Sequence, residues 1–218
     1  MNPFRFLGDL SHLASILILI HTIRTSNSIE GMSLKTQALY VLVFLSRYMD
    51  LLVLHWVSLY IFVMKIFFIA SSIYILQLLQ RTKTTNRIAY KEMLLRDNFN
   101  IRYLLIPCVI LALVFNREFT IIEIFWSFSV WLESVAILPQ LFMLSKSGKA
   151  KSLTIHYIFA LGLYRTLYIP NWVWRYFAES KFDKLAFLTG VIQTLVYSDF
   201  FYIYYQKVIK RKGADLLH

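Results

Sequence analysis

The sequence predicts an all-α polytopic membrane protein with seven transmembrane helices. Three observations carry this. Apolar residues come in blocks of about 20, the length that crosses a bilayer, rather than in the periodic stripes of a soluble domain. The chain is 58% hydrophobic and 17% aromatic, with a positive mean hydropathy, above the near-half apolar content of an ordinary globular domain. Its 218 residues, at roughly 30 per helix and loop, leave room for about seven spans.

Taken in order, span 1 covers about 4–23 and ends near Arg24. No basic leader or Ala-x-Ala site precedes it, so it reads as a retained helix. Span 2 covers about 35–54, span 3 about 57–80, and the short span 4 about 101–116. The polar stretch 81–100 between the last two reads as the one long loop. Span 5 covers about 119–144, with Pro139-Gln140 near its end as a kink and hinge. Span 6 covers about 153–177 and contains Pro170, and span 7 covers about 184–207. The segment 208–218 is a basic tail, and the whole chain reads as a single transmembrane domain.

Loop charge sets the orientation. Fifteen Lys and Arg fall on the side of the 1–2, 3–4 and 5–6 loops and the tail. Three, Arg117, Lys181 and Lys184, fall on the other. That asymmetry predicts a luminal or extracellular N-terminus and a cytosolic C-terminus. The lone Cys108 reads as helix packing and allows no internal disulfide.

Ten charged residues lie within the spans or at their ends: Arg5, Arg47, Lys65, Arg165, Arg175, Asp9, Asp50, Glu123, Glu133 and Asp199. A charge in hydrocarbon costs roughly 3 kcal/mol, so it persists with a partner, with water or with a function. Five structural ion pairs are one reading of the set. A ligand pathway is the other. Arg5, Arg47, Arg165 and Arg175 would form a ladder of guanidinium groups open to the lumen. Guanidinium binds carboxylates through paired planar hydrogen bonds, so the ladder fits an extended ligand with several negative groups, such as an acidic peptide C-terminus. Asp50 and Glu123 could answer a cation on that ligand, with Trp126, Tyr48 and Tyr168 as walls and donors.

A short internal repeat accompanies the charges. Ser33-Leu34 leading to Arg47, and Ser152-Leu153 leading to Arg165, match at an offset of about 119 after basic cytosolic loops. This predicts two parallel three-helix units joined by span 4. His12, one turn from Asp9, is either a neutral packed histidine or a pH switch. Glu133 in mid-span is a candidate partner for His12 or Tyr164. No metal-ligand spacing, phosphate loop or nucleophile motif occurs, so an enzyme is not expected, and no cofactor beyond protons as regulators.

The stretches FRFLGDLSHLASI, RYMDLL, WSFSVWLESVAILPQLFMLSK, HYIFALGLYRTLYIPNWVWRY and YSDFFYIYYQKVIK resemble the KDEL receptor family, the endoplasmic-reticulum retention receptors, in their fungal type. The resemblance runs nearly end to end. It implies the 3+1+3 arrangement shared with SWEET and PQ-loop transporters. It also implies binding of a Lys/His/Asp-Asp-Glu-Leu C-terminal signal in the acidic Golgi, and release in the neutral endoplasmic reticulum. By resemblance Arg47 would hold the terminal carboxylate side, while Arg5 and Arg165 serve the acidic groups. Asp50, Glu123 and Trp126 would surround the first residue, with Arg175 at the entrance and hydrogen bonds from Tyr48, Tyr168 and Asn171. His12 would sense the proton with Glu133 and Tyr164. Asp199 matches an aspartate linked to retrograde transport, and Lys207, Lys210, Arg211 and Lys212 look like a signal for the COPI coat. The chain departs at Ile61, where family members often read SLYN. A small-solute transporter of the SWEET or PQ-loop type is the alternative on the same architecture.

Overall fold

A computed structural model describes residues 2–26, 29, 31–53, 58–147 and 152–204. Every regular element among them is helical: α1 (Pro3–Ser26), α2 (Leu34–Arg47), α3 (Leu59–Thr85), α4 (Arg87–Arg96), α5 (Arg102–Val114), α6 (Ile121–Val135), α7 (Leu138–Ser147), α8 (Ser152–Glu179) and α9 (Lys184–Tyr204). A 3-10 turn, Met49–Val53, follows α2. Among the described residues four stretches are long and apolar enough to cross a membrane: Pro3–Thr25, Leu59–Thr85, Ile121–Lys146 and Lys184–Tyr202. α5 is apolar but shorter. α8 has the length, but His156, Arg165, Asn171 and Arg175 make it polar for a span. Leu17, Val63, Ile110 and Leu195 are among the large apolar side chains left exposed, as expected of a surface that meets lipid.

The chain divides into two compact units. The first comprises 1–19 and 151–218, so its described helices are the start of α1 with α8 and α9. Small residues let these helices approach closely, the usual device of membrane packing. A Cβ on Gly8 would lie 2.7 Å from the Tyr168 ring, and one on Gly162 would lie 2.6 Å from the Tyr197 ring. Ser11 donates to the Ala160 carbonyl at 2.9 Å and ties α1 to α8. α8 runs through Pro170 without interruption.

The second unit comprises 20–150 and holds the end of α1 with α2 through α7. α2 packs on α3 and α6, and α5 packs on α6. Local chemistry marks the helix starts. The hydroxyls of Ser33, Ser58 and Thr120 accept the backbone N–H three residues on, satisfying donors a helix start leaves unpaired. Ser58 thereby caps Ile61 N at 3.3 Å.

Three features differ from the sequence expectation. The stretch 81–100 is not an open loop. α3 extends to Thr85, and Asn86 then serves as C-cap of α3 and N-cap of α4, accepting from Ala89 N at 3.1 Å. The helix expected over 35–54 ends at Arg47 and tightens into the 3-10 turn, whose shorter pitch is suited to single turns. The kink expected at Pro139 appears as a break between Val135 and Leu138, which puts Pro139 in the first turn of α7, where a missing N–H costs little. Gln140 serves the loop entering α2 rather than its own helix. Its Nε2 donates to the Gly31 carbonyl, and its Oε1 accepts from Ser33 N at 2.8 Å.

Candidate functional site

In the second unit the candidate side chains lie along one face of α6 and against the end of α2. Glu123, Trp126, Ser129 and Glu133 recur at three- and four-residue spacing, which stacks them on one side of a helix. Arg47 forms an ion pair with Glu133, whose side chain is only 1% exposed. Arg47 Nε also donates to Ser129 Oγ at 3.1 Å, and Ser129 in turn donates to the Trp126 carbonyl at 2.6 Å. The Nη2 atom of Arg47 is buried and makes no hydrogen bond among the described residues. An unmatched guanidinium donor of this kind is costly where no water reaches it, and it suits an anion that arrives later.

The 3-10 turn carries Asp50 to Lys65 of α3, where Lys65 Nζ donates to Asp50 Oδ2. Lys65 Nζ also lies 5.8 Å from the centre of the Tyr48 ring. Asp50 Oδ1 is buried and has no hydrogen bond among the described residues. At the start of α6, Glu123 meets Arg117 of the preceding loop at 3.6 Å. The Arg117 guanidinium sits 4.0 Å above the Trp126 ring, within cation–π range. Glu123 and Trp126 therefore already surround one cation.

The first unit presents a second group. Asp9 is the hinge of its polar contacts: Arg5 Nε approaches Asp9 Oδ2 at 3.9 Å, and the Tyr168 hydroxyl donates to Asp9 Oδ1. Asn2 Nδ2 donates to Asn171 Oδ1 at 2.9 Å, which joins the first turn of α1 to α8. His12 stacks on Tyr164, with ring centres 4.2 Å apart and planes within 8°. Arg165 is 6% exposed. Its Nε donates to Gln193 Oε1 of α9 at 2.6 Å, and its guanidinium lies 5.2 Å from the Tyr164 ring. Gln193 Nε2 is buried without a hydrogen bond among the described residues. Arg175 lies farther along α8 and pairs with Glu179 at 2.9 Å in an exposed position. That pairing holds the Glu179 carboxyl below its ordinary value.

The expected ligand-facing residues thus divide by unit. Arg47, Tyr48, Asp50, Glu123, Trp126 and Glu133 belong to the second, and Arg5, His12, Tyr164, Arg165, Tyr168, Asn171 and Arg175 to the first. Glu133, considered from sequence as a partner of His12 or Tyr164, has its ion pair with Arg47. Asp199 lies on α9, while Lys207, Lys210, Arg211 and Lys212 lie outside the described residues. Ser129, Gln193 and Arg117 were not anticipated. Ser129 could have been read from its four-residue spacing to Glu133, and Gln193 as a large amide between Val191-Ile192 and Leu195-Val196. Arg117 could have been noticed as one of only three cations on the sparse side.

Comparison with known proteins follows the same direction. A family model described as ER lumen protein retaining receptor matches residues 28–175. The chain is 66% identical over 217 residues to the ER lumen protein-retaining receptor of Saccharomyces cerevisiae, covering 99% of each chain. It is 65% identical over 216 residues to that of Kluyveromyces lactis, covering 99% of this chain and 98% of the other. It is 48% identical over 219 residues to that of Drosophila melanogaster, covering 99% of each.

Proposed function

This chain belongs to the ER lumen protein retaining receptor family, and we propose that it captures the C-terminal Lys/His/Asp-Asp-Glu-Leu signal of escaped luminal proteins. In this reading it binds the signal in the acidic Golgi, returns it in COPI-coated vesicles and releases it in the neutral endoplasmic reticulum. It works as a receptor and not as an enzyme, with the proton as its regulator. The seven spans take the 3+1+3 arrangement, with the N-terminus in the lumen and the basic tail in the cytosol.

The observation that carries the reading is the burial of guanidinium groups between packed helices. Arg165 is almost wholly buried against Gln193, and Arg47 keeps one buried Nη2 with no hydrogen bond among the described residues beside its pair with Glu133. A free carboxylate is a ligand that would satisfy that Arg47 donor. Arg47 then takes the terminal carboxylate, and Arg5 and Arg165 take the acidic side chains. Glu123, Asp50 and Trp126 surround the first residue of the signal, and Tyr48, Tyr168 and Asn171 add hydrogen bonds, with Arg175 at the entrance. His12, stacked on Tyr164, is the group whose ordinary titration near 6.5 falls between the two compartments. Protonation there, felt through Tyr164 and Glu133, favours the peptide-bound form, which uncovers the tail cations and engages Asp199 for return.

A labelled peptide ending in HDEL, titrated into the purified full chain at about pH 5.5 and about pH 7.5, tests the reading. Tight binding at the lower pH, weakening at the higher and loss on amidation of the peptide C-terminus are expected. Equal affinity at both pH values would overturn the switch. Binding that ignores amidation would overturn carboxylate capture. Solute uptake into proteoliposomes would point to transport instead.

A further inference from the structure

A cavity lies within the second unit, at the end of α1 and along the last turns of α3. It has a volume of about 440 Å³ and is lined by Ile23, Arg24, Ile29, Tyr74, Leu78, Arg81, Thr82, Thr85 and Asn86. Its walls divide by chemistry. Ile23, Ile29 and Leu78 are apolar, whereas Arg24, Arg81 and Asn86 are polar. Arg24 is held in place: its Nη2 donates to the Tyr74 hydroxyl, and its guanidinium lies 5.3 Å from the centre of the Tyr74 ring. A cation fixed in this way loses less side-chain freedom on meeting a ligand. Arg81 is exposed and is followed by Lys83 and Arg87, and among the described lining residues none is a carboxylate.

The position matters as much as the composition. By loop charge, this end of α1 and α3 faces the cytosol. The cytosolic leaflet is the one that carries anionic lipids, and basic pockets at helix ends on that side suit their headgroups. An apolar floor beside a two-arginine rim matches a molecule with acyl chains at one end and phosphate at the other. We propose that this cavity is a binding site for an anionic phospholipid of the cytosolic leaflet. Arg24 and Arg81 would take the headgroup phosphates, and Ile23, Ile29 and Leu78 would take the first carbons of the chains. The site lies within the second unit and does not depend on the luminal signal being the ligand of the first group.

The test uses the full chain in detergent, titrated with three probes: short-chain phosphatidylinositol 4-phosphate, short-chain phosphatidylcholine and inorganic phosphate. Saturable binding of the phosphoinositide is expected, with phosphatidylcholine and inorganic phosphate much weaker. Arg24→Gln and Arg81→Gln should each reduce phosphoinositide affinity about fivefold, the worth of one interfacial cation. Thermal unfolding followed by tryptophan fluorescence reports whether each variant is folded. Should Arg24→Gln unfold through loss of its tyrosine contact, Arg81→Gln alone decides, since Arg81 is exposed. Unchanged affinity in a folded Arg81→Gln variant would overturn the proposal. So would phosphatidylcholine binding as tightly as the phosphoinositide, which means an acyl groove without headgroup recognition. Inorganic phosphate binding as tightly would overturn the lipid as the source of the phosphate.

Discussion

Arg47 closes α2 and Glu133 lies near the end of α6, and the two are joined by an ion pair whose carboxylate is 1% exposed. Ser129, one turn before Glu133, takes a second hydrogen bond from Arg47 at 3.1 Å. The contact fixes the packing of α2 on α6 and sets the depth of the guanidinium in its helix pair. The same arginine is the one proposed to receive a peptide carboxylate, so stability and binding meet at one side chain.

Removing either partner leaves an uncompensated buried charge. Arg47→Ala and Glu133→Ala should each destabilise the protein by about 3 kcal/mol, the low end for a buried pair, because the Arg47 side chain keeps 16% exposure. The double variant should lose clearly less than the two single losses together. Denaturation of the four proteins in detergent, followed by tryptophan fluorescence, measures the coupling. Strictly additive losses would show that the pair contributes no interaction of its own.

Much of this arrangement was legible in the sequence. Block hydrophobicity gave the apolar helices, and the ion-pair candidates were visible as charges inside them. Pairing was not legible, because several acids compete for each cation and only packing selects among them. Glu133 shows this: its position in the span was plain, but the choice of Arg47 depends on α2 lying against α6. The polar stretch 81–100 misled for a related reason. Its charges mask a helix that a single asparagine cap separates from α3. Gln140 was legible only as half of a Pro-Gln kink, whereas the loop that supplies its partners is more than a hundred residues earlier.

Asp97 illustrates a buried acid outside the spans. Its Oδ2 accepts from Ser33 Oγ and Lys35 N, both at 2.9 Å, and so holds the start of α2. Burial pushes its carboxyl above the ordinary 3.8, more than the Lys35 and Ser33 hydrogen bonds pull it down. A raised folded pKa means the folded state holds the proton more tightly than the unfolded chain. The resulting stability is complete below the ordinary value and is lost as pH rises through the raised one. Asp97→Asn keeps an accepting oxygen and removes the titration. The difference in unfolding midpoint, wild type minus variant, should fall as pH climbs from about 4 towards 7. A difference that rises over that range would reverse the assigned sign.

Gly190 sets the distance between α8 and α9. A Cβ there would lie 2.4 Å and 2.7 Å from atoms of the Trp172 ring, and 3.6 Å from Arg165 Cδ. Trp172 is 7% exposed and has little room to move. Gly190→Ala should therefore destabilise the protein by about 1–3 kcal/mol, the usual range for an overpacked site. Adding Trp172→Phe should recover part of the loss by supplying space. An alanine variant as stable as the wild type would mean that the helices can separate without cost.

Arg117 occupies the place that the proposed function gives to the first side chain of the signal. Its guanidinium is 4.0 Å above the Trp126 ring and 3.6 Å from Glu123. A cationic ligand side chain must displace it or share both partners with it. The Arg117 side chain is 50% exposed, and an exposed ion pair of this kind is worth at most about 1 kcal/mol. Arg117→Ala should accordingly raise affinity for a peptide ending in HDEL about two- to fivefold, and leave a peptide ending in ADEL nearly unchanged. Parallel titrations with the two peptides at about pH 5.5 make the comparison. An equal gain for both would assign Arg117 to general access rather than to the choice of first residue, and a loss for HDEL alone would make it a direct contact of the signal.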